Sequence, residues 1–193
     1  MKEQKNTNPK RIAVDVDDTL VESVTDFLAF LKIRKNIDVK KESFTTYYDN
    51  FAGMDKKEID SLFLEFENTL DTFDFHDKAT STLQKLKEEG HELFVLTTRP
   101  TEIKEKTITL LEKEFGKNFF TDFYFSVEFG GSKARVYKEM NFDLLIDDAD
   151  HHAKAVAEIG GNVLLFEQPW NKTMMEDPNI RRVKNWEEIG KLL

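Results

Sequence analysis

Between residues 11 and 20 the chain reads Arg11-Ile12-Ala13-Val14-Asp15-Val16-Asp17-Asp18-Thr19-Leu20, an apolar run of strand length and β-branched content that empties into three carboxylates. Carboxylates at i and i+2 on a strand point to one side, so Asp15 and Asp17 share a site if strand geometry continues through Asp17. Two anions that close repel unless a cation lies between them or one is protonated, and the hard oxygen donors point to Mg²⁺. Taken alone, a D-x-D-D-T run is more often an acidic turn. Its meaning depends on what the rest of the chain supplies.

Downstream, strand-length apolar runs alternate with helical patterns. Residues 92–96, 121–127, 142–146 and 163–166 read as strands, with 182–183 as a short edge strand. Residues 79–89, 101–115, 132–140, 153–159 and 186–192 read as helices, several closed by glycine. This alternation predicts an α/β fold, a Rossmann-like parallel sheet with helices on both faces. Between the first strand and this regular part lies an insertion. Val24, Phe27, Leu28 and Leu31 fall at helical spacing, Asp55 reads as an N-cap, and Ile59, Leu62, Phe63 and Phe66 form a second apolar stripe. A connection this long with its own apolar faces predicts a small helical cap at 21–76, set on a core of 1–20 and 77–193. Tyr47, Tyr48 and Phe51 either pack the cap or offer a stacking surface to substrate.

In parallel sheets of this kind ligands bind at the carboxyl ends of the strands. Three such ends read Asp15-Val16-Asp17, Thr97-Thr98 and Asp147-Asp148, which converge in one crevice despite their distance in sequence. Asp15, Asp147 and the backbone carbonyl of Asp17 could then hold Mg²⁺, with Asp148 beside them. Asp15 becomes a nucleophile toward a phosphoryl group and Asp17 the acid and base that serves the leaving oxygen and then water. Charge developing on the phosphoryl oxygens needs Thr97, Thr98, backbone amides and one ammonium. Lys133, in the first turn after Gly130-Gly131-Ser132, is the first choice, and Lys138 the second. The histidines at 76, 91, 151 and 152 read as surface residues.

Composition narrows the partners. A formal net charge of −9 argues against a nucleic acid polymer. No apolar run approaches membrane-spanning length, residues 1–10 carry no apolar signal core, and the absence of cysteine fits a reducing cytoplasm.

The series Asp15-Val16-Asp17-Asp18-Thr19, Thr97, Lys133 and Asp147-Asp148 resembles, in order, the four motifs of the haloacid dehalogenase superfamily of phosphohydrolases. Leu144-Leu145-Ile146-Asp147-Asp148, the early insertion, Gln168-Pro169-Trp170-Asn171 and Val183-Lys184-Asn185-Trp186 resemble its 5′(3′)-deoxyribonucleotidase branch and uncharacterised bacterial relatives. The resemblance implies Asp15 as nucleophile, Asp17 as acid/base, Thr97 and Lys133 as phosphate-stabilising groups and Asp147 as metal ligand. It implies a Mg²⁺-dependent phosphatase acting through an aspartyl-phosphate on a small phosphorylated metabolite, with nucleoside monophosphates leading. Two positions depart from it: Asp18 stands where Gly is commoner, and Ser23 where the nucleotidases carry a base-contacting Phe. The rival reading is a phosphate-binding or phosphorylation-switched regulatory module without turnover. Dehalogenase and phosphonatase chemistry are further alternatives, the latter calling on Lys32, Lys40 or Lys41 in the cap.

Overall fold

The computed structural model describes residues 8–44, 53–69 and 73–193. Its centre is a parallel sheet of β1 (Arg11–Val14), β2 (Glu92–Thr97), β3 (Asp122–Phe125), β4 (Leu144–Asp147), β5 (Val163–Phe166) and β6 (Ile180–Val183), ordered β3-β2-β1-β4-β5-β6. β1 lies in the middle, Val14 in register with Val95 on one side and Ile146 on the other. Helices cover both faces, which is why the central strands are continuous apolar runs. Ile12, Val14, Leu93, Val95 and Ile146 pack with Leu83 and Leu86 of α3 (Ala79–Glu88), Leu111 of α4 (Lys104–Phe115) and Trp186 of α7 (Trp186–Leu192). Ala13, Phe94, Leu96 and Leu145 pack on the opposite face with Val136 of α5 (Lys133–Glu139) and Val156 of α6 (Asp150–Glu158).

The insertion leaves the sheet at Val21 and returns at Phe75, and these two residues pair antiparallel. The Glu22 N–H donates to the Asp74 carbonyl at 2.8 Å and the His76 N–H to the Leu20 carbonyl at 2.9 Å, pinching exit and return together. The insertion contains α1 (Ser23–Lys35) and α2 (Lys56–Thr69). Asp55 does cap α2: its Oδ1 accepts from the Glu58 N–H at 2.9 Å while Glu58 Oε2 accepts from the Asp55 N–H at 3.0 Å, a reciprocal capping box. Phe27 of α1 meets Phe63 and Phe66 of α2 at ring-centroid distances of 4.9 and 5.5 Å. Tyr47, Tyr48 and Phe51 lie outside the described residues.

Several boundaries differ from those the sequence suggests, each for a local reason. β1 stops at Val14, because Asp18 adopts a left-handed φ of 51° and the Leu20 and Val21 N–H groups both turn back to the Val16 carbonyl. β3 ends at Phe125, where residues Ser126–Phe129 coil into a 3-10 turn closed by the Gly131 N–H on the Ser126 carbonyl. β6 is a full parallel strand paired with β5 from Ile180 to Val183. α6 begins at Asp150, which puts His151 and His152 on its first turn, their ring centroids 4.0 Å apart. His151 is exposed and His152 half-buried. His91 is not a surface residue: it is buried, and its Nδ1 accepts from the Lys10 N–H at 3.1 Å. Among the described residues no helix is long and apolar enough to cross a membrane.

Tyr137 of α5 sets how closely the chain after α6 can approach. A Cβ at Gly161 would sit 2.6 Å from both Tyr137 Cε1 and Val156 Cγ1, and the Tyr137 hydroxyl accepts from the Asn162 N–H at 3.2 Å. Both neighbours are packed in the core and cannot yield. Gly161→Ala is therefore expected to cost about 1–3 kcal/mol, read as a lower urea midpoint at unchanged m-value.

Candidate active site

The order of the sheet brings the carboxyl ends of β1, β2 and β4 side by side. Asp15 follows β1, Thr97 ends β2, and Asp147 ends β4. Asp15, Asp147 and Asp148 each offer a carboxylate oxygen within 4.8 Å of the others, and all three are buried. Lys133, at the start of α5 and 1% exposed, reaches between them: its Nζ lies 2.7 Å from Asp147 Oδ2 and 2.8 Å from Asp15 Oδ1. Ser132 caps that helix through the Arg135 N–H, which fixes the first turn carrying the ammonium. Lys138, one turn on, is exposed and takes no part.

Three buried carboxylates face one buried ammonium. Burial, together with the charges of Asp147 and Asp17, pushes Asp15 up to about 7 although Lys133 opposes it. Burial and the neighbouring acids Asp147, Asp15 and Asp18 also push Asp148 well up. Burial alone would lower Lys133, but the paired charges of Asp147 and Asp15 outweigh it and keep the ammonium charged. Asp15 Oδ1 is met only by the Lys133 ammonium at 2.8 Å, as an ion pair outside regular hydrogen-bond geometry. Excess negative charge and three carboxylates offering oxygens within 4.8 Å of one another fit a hard divalent cation such as Mg²⁺.

Asp148 is held from behind. Trp170 Nε1 donates to its Oδ2 at 2.8 Å, Thr19 Oγ1 to its Oδ1 at 3.3 Å, and Asn171 Nδ2 to its carbonyl at 2.7 Å. Gln168 Nε2 donates to the Asp18 carbonyl at 2.7 Å and Trp186 Nε1 to the Thr19 carbonyl at 2.8 Å. The 168–171 turn and the start of α7 thus brace the two acidic loops, and a Trp or Gln there is explained by a backbone or carboxylate acceptor in reach.

Asp17 sits apart from the carboxylate triad. Because the strand ends before it, the i, i+2 rule does not aim its side chain with Asp15. Its carboxylate is gripped by Arg99 instead, Nε to Oδ2 at 2.9 Å and Nη2 to Oδ1 at 2.7 Å, and the Ser23 hydroxyl also donates to Oδ1. Burial pushes Asp17 up, but the Arg99 guanidinium and these hydrogen bonds outweigh it and hold the carboxyl below its ordinary range. Thr97 is fully buried and its Oγ1 accepts from the Arg99 N–H at 3.1 Å, whereas Thr98 is exposed. Ser23 is buried against Asp17, so that position faces the acid and not an open substrate site.

Sequence reasoning passed over Arg99, Glu67 and the role of Lys41. Glu67 falls on the buried face of α2 beside Phe66, and an acid on an apolar stripe was the signal available. Lys41, from the short helical turn Lys41–Ser43, reaches Asp18 Oδ1 at 3.1 Å and lies 5.6 Å from the centre of the Trp170 ring.

Comparison with known proteins follows the same lines. No family model matches the chain. A Bacillus cereus protein provisionally named a nucleotidase is 28% identical over 116 residues, which are 60% of this chain and 58% of that protein, so the match spans little more than half of its relative. Among solved structures, a provisionally assigned HAD-hydrolase from Bacillus subtilis, YfnB, bound to magnesium, superposes with a TM-score of 0.66 at 17% identity, covering 96% of this chain and 99% of that one. A predicted phosphoglycolate phosphatase from Haemophilus somnus 129PT gives 0.62 at 15% identity, covering 97% and 99%. The chain has the haloacid dehalogenase fold. Within that fold, Asp18 at a position where Gly is commoner takes the left-handed backbone that Gly would take. Its carboxylate is spent on the single Val24 N–H of α1, 3.3 Å from Oδ1 and 3.2 Å from Oδ2, and on Lys41, so it satisfies a first-turn donor of the helix and ties the insertion to the core.

The site makes stability depend on pH. Burial pushes Asp15 and Asp18 up to about 7, and burial plus the Asp17 charge pushes Glu67 up to about 8. In the unfolded chain all three are ionised above about pH 5. The folded state therefore binds more protons than the unfolded one in this range, and stability falls as pH rises. Between pH 6.5 and 8 the half-buried histidines oppose this only in part, because they are neutral in the fold, His76 at about 4 and His152 at about 3, while each unfolded imidazole has only about half a proton left to lose above pH 6.5. The EDTA-treated protein should melt at higher temperature at pH 6.5 than at pH 8 by calorimetry, and saturating Mg²⁺ should shrink the difference.

Proposed function

We propose that this protein is a cytoplasmic Mg²⁺-dependent phosphatase that hydrolyses a small phosphomonoester, with nucleoside monophosphates as the leading substrate class. The observation that carries the reading is Lys133 bridging Asp15 and Asp147 within a buried carboxylate triad. The fold and the provisionally named nucleotidase relative support it. Asp15, Asp147 and Asp148 are the residues that would hold the ion, and bound Mg²⁺ supplies charge that lets a carboxylate and a phosphate dianion approach.

In this reading residues 21–76 are the cap and 1–20 with 77–193 the core. Asp15 is only 5% exposed and Asp147 not at all, so an ester reaches them when the cap swings on its pinched exit and return. Asp15 then attacks phosphorus in line, an Asp15–phosphorus bond forming as the bond to the ester oxygen breaks. Asp17, taking up a proton once the bonds that keep it ionised are given up, gives it to that leaving oxygen and afterwards takes one from the water that attacks phosphorus and releases Asp15. Lys133 and Thr97, with Thr98 at the rim, meet the charge on the phosphoryl oxygens.

The test is a panel of nucleoside 3′- and 5′-monophosphates, phosphoglycolate and sugar phosphates with Mg²⁺. Phosphate release should be fastest with a nucleotide and should stop with EDTA. Asp15→Asn should lower kcat by about 10³-fold or more while the protein stays folded by circular dichroism. Release that persists in Asp15→Asn, or none from any ester with the wild type, overturns the reading; the latter outcome would favour a binding or switch module.

A further inference from the structure

Arg99 has no role in the reading above, yet it is among the most enclosed charges in the molecule, its side chain 3% exposed. It follows the threonine pair at the end of β2, so the sheet itself fixes where its backbone stands. Nε and Nη2 make a side-on pair with Asp17, and the remaining nitrogen, Nη1, donates to Thr107 Oγ1 of α4 at 3.2 Å. Its guanidinium carbon lies 4.7 Å from the centre of the Phe73 ring, at the return of the insertion. A second carboxylate, Glu67 of α2, stands 3.7 Å from Nε, itself 4% exposed. Beside them, between α2 and α4, is a cavity of about 270 Å³ lined in part by Phe73, Ile103 and Leu110.

One guanidinium thus serves two acids from different parts of the chain. Asp17 belongs to the loop after β1, and Glu67 belongs to the insertion. Asp17 holds the two short hydrogen bonds, and Glu67 waits just beyond hydrogen-bond distance. A carboxyl gripped by two N–H groups and the Ser23 hydroxyl cannot turn to an ester oxygen unless those bonds are given up. Glu67 is the carboxyl placed to receive them, and a shift of α2 by a fraction of an ångström brings it into bonding range. Ser23 on α1, Glu67 on α2 and Phe73 all lie in the insertion, so the whole clamp on Asp17 except Arg99 and Thr107 moves when the insertion moves.

We propose that Arg99 is a positioning residue for proton transfer to the leaving oxygen, and that Glu67 is the contact through which the insertion sets where Asp17 points. The proposal rests on the phosphatase reading. It says that closure of the insertion passes Arg99 from Asp17 toward Glu67 and frees Asp17 for the ester. Proton delivery matters for a poor leaving group and hardly at all for a good one. The role therefore has an observable that simple structural support lacks.

The experiment compares 4-nitrophenyl phosphate with 2-phenylethyl phosphate, an alkyl ester, for wild type, Arg99→Lys, Arg99→Met and Glu67→Gln, each alone and combined with Asp17→Asn. Arg99→Met, which leaves Asp17 with no guanidinium to orient it before its release, should lower kcat for the alkyl ester about 10- to 100-fold more than for the nitrophenyl ester, with KM little changed. Arg99→Lys, which keeps charge but loses the side-on geometry, should fall between. Glu67→Gln, nearly isosteric and so least disruptive to folding, should shift the ester ratio the same way by about 3-fold. None should alter the ratio when Asp17→Asn is present. Equal losses on both esters, losses in KM alone, an unchanged ratio in Glu67→Gln, or a ratio change that survives in Asp17→Asn would overturn the inference while leaving the phosphatase reading intact. Wild-type inactivity toward both esters would overturn the two together.

Discussion

The structure turns on the contact between Lys133 and the two carboxylates of Asp15 and Asp147. Three acids, Asp15, Asp147 and Asp148, are removed from water at the sheet's carboxyl end with a single ammonium among them. Taking an ion out of water costs several kcal/mol even after relaxation, so the cluster is tolerable only because Lys133 and directed hydrogen bonds meet most of it. The negative charge they leave unmet among the three acids is what a divalent ion would use. Stability and function are therefore set against each other at one point, a common arrangement where acids must be held close for chemistry.

Around that point the chain divides the work between two kinds of support. The core side is rigid: Trp170, Asn171, Gln168 and Trp186 each satisfy an acceptor on the loops after β1 and β4. The insertion side packs into the same apolar core but adds ion pairs that can be exchanged, Lys41 with Asp18 and Glu67 with the Arg99 that holds Asp17. Packed rings define one arrangement, whereas shared charges permit two. On the proposed phosphatase reading, an insertion that opens for an ester and closes over it would use the second kind at its contact with the core.

The fold was legible because it is written in local pattern. Strand-length runs such as 163–166 and helices closed by glycine follow from side-chain periodicity, and a parallel sheet with covered faces requires them to be apolar throughout. The Asp55 N-cap was readable for the same reason, and the structure adds its reciprocal partner Glu58 within the same turn. Boundaries were less legible. A residue such as Asp18, which turns into left-handed backbone and meets a first-turn N–H of α1, ends β1 early through a contact six residues away.

The sequence by itself determined which residues stand at the strand ends, because an apolar run that stops in Asp, Thr or Asp-Asp declares its polar end wherever it is placed. It also separated Lys133 from Lys138 only by position, one at a helix start and the other inside it. Tertiary structure decided the pairings: that Asp17 faces Arg99 and not the triad, that Ser23 bonds an acid, and that Glu67 joins an ion pair on the core. The two Arg99 pairings depend on distances between segments about 30 and 80 residues apart, and the Ser23 bond on how the chain turns over the six residues after Asp17. Periodicity carries no information about such distances, because a charge on a buried face reveals that it must have a partner but not which one.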